Sequence, residues 1–447
     1  MREQIKSVQE VVAWRLCLGC GACIPACPNG ALTLVDIEHD GLRPRVNASQ
    51  CAHCGNCIQI CPGIGIDKTR LNYREPSVES SDPRFSASNS LLSLNAAWGT
   101  VLEIWEGYAT DPEIRFQGSS GGVVTALSLF CLERQRMQGV LHIGPDAAHP
   151  LTNVAVVSSN RDELLRRTGS RYAPAAPSLG LTLLDRTGQP YVFVGKPCDV
   201  VAVRKWQAFQ TTKYGERMPS HTMLRLSSGI GVLISIFCAG TPSTQGTQRI
   251  LDKLSVRPDE VVTLRYRGRG WPGRTVVVTN ANGPTERSMT YEDSWGTILS
   301  KHTQFRCRLC PDSTGELADI SCGDPWYRNV EPDDPGRSLV LVRTETGRRI
   351  LHEAMEAGYV RFERAGIDTL PQSQRSLLER RRQLWGRLLA LRTFHIPVPR
   401  YRGFSLFSNW RSLPISGKVR SVLGTVHRIH KRKWHRPAAD QLAVDSN

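Results

Sequence analysis

Short, unbroken apolar runs punctuate the middle of the chain. YVFVG (191–195), VLISIF (232–237) and RTVVVTN (274–280) have strand length and β-branched content, and predict strands. SGGVVTALSLFCLERQRMQG (120–139) has a glycine-rich start and a glycine stop and predicts a helix; RILDKLSV (249–256) predicts a shorter one. Near the N-terminal end, ALTLVDIEHDGLRPRV (31–46) alternates like two strands around a turn at His39-Asp40-Gly41. Residues 76–93 hold seven serines and two prolines with little apolar periodicity, and read as a linker or strap. The longest apolar run, IGVLISIFCAG (230–240), has strand length, so no segment predicts a bilayer span.

The start of the chain, MREQIKSVQEVVAW, is polar and mixed, without the apolar core or cleavage site of a secretory signal. That predicts a cytoplasmic chain, long enough to bury a real core, whose 14 cysteines stay reduced. Clustered thiols in such a setting are metal ligands or redox groups. CLGCGACIPACP (17–28) is nearly repeated by CAHCGNCIQICP (51–62). Zinc sites pair thiols across a longer stretch, so a third Cys three residues on is surplus. Both segments fit the C-x2-C-x2-C-x3-C-P run of bacterial ferredoxins, in which the fourth cysteine serves the other cluster. The pattern therefore assigns Cys17, Cys20, Cys23 and Cys61 to one 4Fe-4S cluster, and Cys51, Cys54, Cys57 and Cys27 to a second. Small residues (Gly19, Gly21, Ala22, Gly55) let backbone amides approach the sulfurs. Residues 10–68 thus resemble a two-cluster bacterial ferredoxin domain, which moves single electrons and performs no substrate chemistry.

Charge is uneven. Of a net +16, residues 1–379 carry only +3; residues 380–439 hold 15 Lys and Arg and no Asp or Glu. QLWGRLLALRTF and WRSLPISGKVRSVLGTVHRIHKRKW add apolar residues among these cations and predict amphipathic helices. Such a tail suits a solvated or protein-docking face, or an anionic membrane surface. Nucleic acid is disfavoured because no recognition motif accompanies the charge.

Six cysteines remain. Cys131 lies in an apolar helix pattern and reads as a small buried hydrophobe. Cys198, Cys238, Cys307, Cys310 and Cys322 sit beside turns or strand ends. Four thiolates from three places (Cys198, Cys238 and the pair Cys307/Cys310) suit a third 4Fe-4S cluster or zinc about equally well.

SSGGVVTAL (119–127), GSRYAP (169–174), GKPCDVVAVRK (195–205), FCAGTPS (237–243), YRGRGWPG (266–273), YEDSWG (291–296), CRLCPD (307–312) and GELADISCGDPW (315–326) occur in order. Together they resemble the coenzyme F420 hydrogenase/dehydrogenase beta-subunit family over about residues 100–350. The resemblance implies FAD beside a 4Fe-4S cluster, and favours iron-sulfur over zinc at Cys198, Cys238, Cys307 and Cys310, with Cys322 a neighbour or substitute. It implies that Ser119, Ser120, Gly121, Gly122 and Thr125 touch FAD; alone, a Ser-Gly helix start is often only a cap. It likewise implicates Ser170, Arg171, Tyr172, Asp319 and Asp324, while Lys196, beside Cys198, would place positive charge near a reduced isoalloxazine as the catalytic candidate.

The expected architecture is α+β: a two-cluster ferredoxin-like domain (1–70), a linker (71–97), a mixed α/β flavin and iron-sulfur domain (98–370) and a basic helical tail (371–447). The expected function is that of an oxidoreductase passing electrons between a ferredoxin-like or redox-subunit partner and an organic two-electron partner, with coenzyme F420 first. Two alternatives stand beside it: a ferredoxin-dependent reductase of another organic substrate, and a non-catalytic electron-transfer subunit of a larger complex. The expected location is cytoplasmic, at the membrane if the basic tail docks there.

Overall fold

The structure is a computed structural model that describes residues 5–71, 89–185, 189–214, 229–280, 283–331 and 333–438. At the N-terminal end, β1 (Leu32–Ile37) and β2 (Gly41–Val46) form the expected antiparallel hairpin, followed by β3 (Gly65–Asp67). The body contains β4 (Glu103–Ala109), β5 (Val140–Pro145), β6 (Asn153–Ser158), β7 (Tyr191–Gly195) and β8 (Ile230–Ile236). A small antiparallel sheet follows, built from β9 (Val261–Arg265), β10 (Thr275–Thr279) and β11 (Thr285–Met289). Then come β12 (Ile320–Gly323), β13 (Ser338–Val342) and β14 (Val360–Arg364), with β15 (Arg400–Arg402) near the C-terminal end.

Eight of these strands form one sheet, ordered β14-β4-β13-β12-β8-β7-β5-β6. Its centre is parallel across β5, β7, β8 and β12, and the flanking pairings are antiparallel. Strands covered on both faces read as continuous apolar runs, which is why YVFVG and VLISIF were visible in the sequence. Successive side chains separate to opposite faces. Val192, Val232 and Ile234 pack with the helices Val123–Glu133 and Glu345–Glu356, whereas Phe193 and Leu233 pack with the helix Pro197–Tyr214. The latter face also receives Cys20, Ala22, Ile60 and Ile66, which seat the ferredoxin-type region on the body.

Three expectations change. The helix read over 120–139 covers only Val123–Glu133, because Gly121, Gly122 and Arg136 take positive φ (67°, 71° and 51°). The stretch read as a linker over 71–97 already contains the start of a helix, Asn89–Trp98, with Leu94, Ala97 and Trp98 buried; residues 76–88 lie outside the described residues. The region read as a tail from 371 is woven into the fold as far as residue 438. Leu384, Leu388 and Leu391 of the helix Arg375–Thr393 pack on Val11, Val12, Leu16 and Cys17, and β15 pairs in parallel with β3.

Candidate functional site

In parallel sheets, ligands gather outside the carboxyl ends of the strands. Here the ends of β7, β8 and β12 carry Lys196-Pro197-Cys198, Phe237-Cys238 and Asp324. They border a cavity of about 1060 Å³. Ser119, Ser120, Gly122, Thr125, Ser170, Arg171, Tyr172, Lys196 and Asp324 line it, whereas Gly121 and Asp319 do not.

Asp319 stands at the opposite end of β12. Its carboxylate accepts hydrogen bonds from the Leu233 amide (2.8 Å) and the Thr344 hydroxyl (2.7 Å), which makes it a brace between strands. Gly121 is needed for close approach: a Cβ there would lie 2.8 Å from the Arg337 Cα. Gly122 precedes the 11-residue helix Val123–Glu133 with no side chain capping it, so first-turn amides are left unpaired beside the cavity. Such an end favours an anion, as a flavin pyrophosphate would supply. Ser119 and Ser170 are tied together, with the Ser170 amide donating to the Ser119 hydroxyl at 2.6 Å.

Arg171 lines the cavity but is already committed. It donates to the Leu264 carbonyl (3.0 Å), the Pro150 carbonyl (2.8 Å) and the Asn153 side chain. Asp324 is held by the buried Arg267 through two hydrogen bonds (3.0 and 2.6 Å) and by the Trp271 indole (2.8 Å). Arg267 also donates to the Ser119 carbonyl (2.7 Å) and the Tyr172 hydroxyl (3.3 Å), so it knits three lining segments into one wall. Around it Tyr291 stacks on Trp326 (5.2 Å, 19°), Trp271 adjoins Trp326, and Tyr172 adjoins Trp295, all lining the cavity. These flat, amphipathic rings suit a planar heterocycle. Arg267, Trp271, Tyr291, Trp295 and Trp326 were not singled out individually, although YRGRGWPG, YEDSWG and GDPW contain them. His142 was missed as well: it lines the cavity and bonds Ser158 (2.8 Å), and burial together with Arg167 lowers its pKa to about 4.

Four thiols lie within electrostatic reach of one another near this cavity. Cys198 interacts electrostatically with Cys238 and Cys310, Cys238 and Cys310 each with Cys307, and Lys196 with Cys198 and Cys238. Cys238 also lines the cavity, so the two features share a wall. Burial pushes the Cys238 thiol up to about 11 and the Cys310 thiol up to about 12. Thiolates in such surroundings need a positive partner. Lys196 is one cation already there. Burial disfavours its charge, but Asp199 (2.7 Å) and the nearby thiols override this and raise its pKa. Cys322 belongs to the strand core and also lines the cavity, its pKa raised to about 12 by burial alone, whereas Cys131 is core only.

In the N-terminal region, Cys17, Cys20, Cys23 and Cys61 line one small cavity, the grouping expected from crossed ligation. Cys23, Cys27, Cys51 and Cys57 pack around Val8, Leu32 and Val46, while Cys54 is exposed. The Gly19 amide donates to the Cys17 sulfur (3.4 Å) and the Ala31 amide to the Cys27 sulfur (3.3 Å). Among the described residues, no three His, Cys, Asp or Glu donors converge closely enough to grip a single ion.

Comparison with known proteins bears on both regions. Residues 16–63 match a 4Fe-4S dicluster domain. Residues 104–182 and 188–366 match the N-terminal and C-terminal parts of the coenzyme F420 hydrogenase/dehydrogenase beta subunit. The chain is 27% identical over 300 residues to coenzyme F420 hydrogenase subunit beta of Methanococcus voltae, covering 65% of this chain and 95% of that protein. It is 29% identical over 273 residues to the subunit of the same name from Methanothermobacter thermautotrophicus (58% and 83% covered). Against the coenzyme F420-dependent sulfite reductase of Methanocaldococcus jannaschii it is 25% identical over 357 residues, 77% of this chain and 46% of that one.

Proposed function

This chain belongs to the coenzyme F420 hydrogenase/dehydrogenase beta-subunit family and carries an N-terminal 4Fe-4S domain; on that premise we propose that it moves electrons between its iron-sulfur region and a two-electron organic partner, coenzyme F420, through bound FAD. The observation that carries the reading is the shared wall: Cys238 belongs both to the four-thiol group and to the cavity lining, with Lys196 at the boundary. The donor sets fit the groups proposed. All-thiol surroundings suit cubanes, and a roomy cavity with aromatic walls and an uncapped helix start suits a dinucleotide. Bound FAD would exchange two electrons with the organic partner and pass them on singly.

The chain's own residues do the rest. First-turn amides at Val123 and Val124, with Ser119 and Ser120 beside them, would hold the pyrophosphate. Arg267 fixes the aromatic wall through Asp324, and Lys196 would favour an anionic ring. Cys198, Cys238, Cys307 and Cys310 would hold a third cluster beside the cavity wall, in addition to the clusters of Cys17, Cys20, Cys23 and Cys61 and of Cys51, Cys54, Cys57 and Cys27.

The test uses the full chain prepared without oxygen. It should bind FAD and oxidise reduced coenzyme F420 with a viologen dye as acceptor. Cys307→Ser should lower iron from about twelve to about eight atoms per chain, and slow electron delivery to the ferredoxin-type region. Reduction of the flavin by reduced coenzyme F420 should persist, because hydride transfer does not cross the thiol group. Unchanged iron in the variant would remove the four-cysteine assignment. A flavin-loaded chain inert to reduced coenzyme F420 would redirect the reading to another organic substrate.

A further inference from the structure

The last described helix, Ile415–Lys431, buries one face and leaves another uncovered. Ser421, Thr425 and Ile429 face inward, and the Trp410 indole donates to the Ser421 hydroxyl at 3.0 Å. Along a separate face Ile415, Val419 and Leu423 are 79%, 48% and 61% exposed. Their spacing of four lines them up over about 12 Å of helix. Single exposed aliphatics are ordinary on protein surfaces, but this row stands in unusual surroundings. Residues 380–439 contain 15 Lys and Arg without one Asp or Glu.

A second observation lies at the start of the same helix. A cavity of about 300 Å³ opens between its first turn and the helix Arg375–Thr393, lined by Arg375, Arg382 and Arg420 together with Glu379, Ser416 and Gly417. The buried Nε of Arg382 has no hydrogen-bond partner. Three guanidinium groups against one carboxylate, beside an uncapped helix start, make a place for a phosphate. Arg420 is one residue past Val419, so this basic hollow adjoins the aliphatic row.

We propose that this face binds an anionic phospholipid bilayer. Ile415, Val419 and Leu423 would enter the boundary between headgroups and acyl chains, and Arg375, Arg382 and Arg420 would take lipid phosphates. Charge complementarity selects this occupant. Cores of protein interfaces are broad, aromatic and poor in charge, whereas a narrow aliphatic row among cations is the pattern of helices lying in a membrane interface. The depth is modest, so attachment is peripheral and reversible; among the described residues no helix is long and apolar enough to cross a membrane.

The test is flotation of the full chain, loaded with iron, with vesicles of phosphatidylcholine alone or mixed with phosphatidylglycerol. Binding should require the anionic lipid and weaken steeply between low and physiological salt. Arg420→Gln should weaken it about fivefold, the increment for one cation near such a surface. Val419→Asp with Leu423→Asp should abolish it while visible absorption and melting temperature stay at wild-type values; Leu423→Ser checks the same point with a milder change. Equal binding to neutral vesicles, or undiminished binding by the double variant, overturns the proposal. So does a salt-sensitive complex with duplex DNA that excludes vesicles, or self-association that disappears in the double variant.

Discussion

Arg43 shows how much chemistry one residue can carry at a junction. Its side chain is buried, bonded to the Asp40 carboxylate (2.8 Å), to the Leu42 and Asp40 carbonyls (2.7 Å each) and to Gln304 (3.1 Å). It interacts electrostatically with both Cys17 and Cys307, one thiol from each of two groups proposed to hold clusters. A fixed, poorly screened positive charge favours the reduced, more negative state of a nearby cluster. Arg43→Met should therefore lower the potentials of the two flanking clusters by tens of millivolts, and Arg43→Lys should restore most of the difference. Redox titration followed by electron paramagnetic resonance measures both. Unchanged potentials in a folded, iron-replete Arg43→Met protein would make this arginine a structural clamp only. Arg306 crosses the same junction. It donates to the Gly63 and Pro62 carbonyls (3.2 Å each), just past Cys61, and to the Leu309 carbonyl (3.1 Å), just before Cys310.

At the scale of elements, one carboxylate joins three parts of the chain. Glu316, fully buried ahead of β12, pairs with Lys68 from the turn after β3 and with Arg381 from the helix Arg375–Thr393. Burial raises the cost of its charge, but Arg381 and Lys68 outweigh that and hold its pKa below the usual carboxylate value. A depressed carboxylate contributes stability that is fully present above its unfolded pKa and is lost as pH falls through the folded one. Glu316→Gln should thus cost roughly 3–5 kcal/mol near neutral pH, since two buried cations lose their partner. The gap between variant and wild type should narrow on acidification below about pH 4.5. Denaturant unfolding at pH 7 and at pH 4 checks this. A gap that stays constant or widens at pH 4 would show that the pair is not the source of the stability.

For the whole molecule, the ferredoxin-type region is not an independent bead. Val11, Val12 and Leu16 are covered by Leu384, Leu388 and Leu391, and Ile66 of β3 pairs with Tyr401 of β15. The Lys205 ammonium, from the helix Pro197–Tyr214, donates to the Cys61 carbonyl (2.6 Å). A fragment of residues 1–71 would expose these contacts. It should lose iron faster in air than the full chain and aggregate at concentrations where the full chain does not. Visible bleaching and light scattering, followed side by side, decide it; equal lifetimes would mean that the region holds its clusters without the C-terminal helices.

Local spacing pointed to iron-sulfur chemistry in the N-terminal cysteines, because three ligands of each such cluster stand at short, fixed intervals along the chain; at Cys198, Cys238, Cys307 and Cys310 it left zinc and iron-sulfur both open. Apolar runs likewise revealed β7 and β8, since a strand covered on both faces needs no polar alternation, and the run at 274–280 revealed β10, whose burial does alternate. The order of motifs was sufficient to place the body in its family. What remained hidden depends on contacts between distant residues. Asp319 and Asp324 flank one short strand and look alike in sequence; only the parallel arrangement decides that Asp324 ends at the cavity and Asp319 at the far side. Arg267 read as one arginine among many until folding buried it against Asp324, Ser119 and Tyr172. The cation-rich segment after residue 371 read as a tail because periodicity shows which face of a helix is apolar and not what covers it. Tertiary structure divides that segment in two. One side is buried with Val11 and Leu16, and the row of Ile415, Val419 and Leu423 is left outward because no other part of the described chain reaches it.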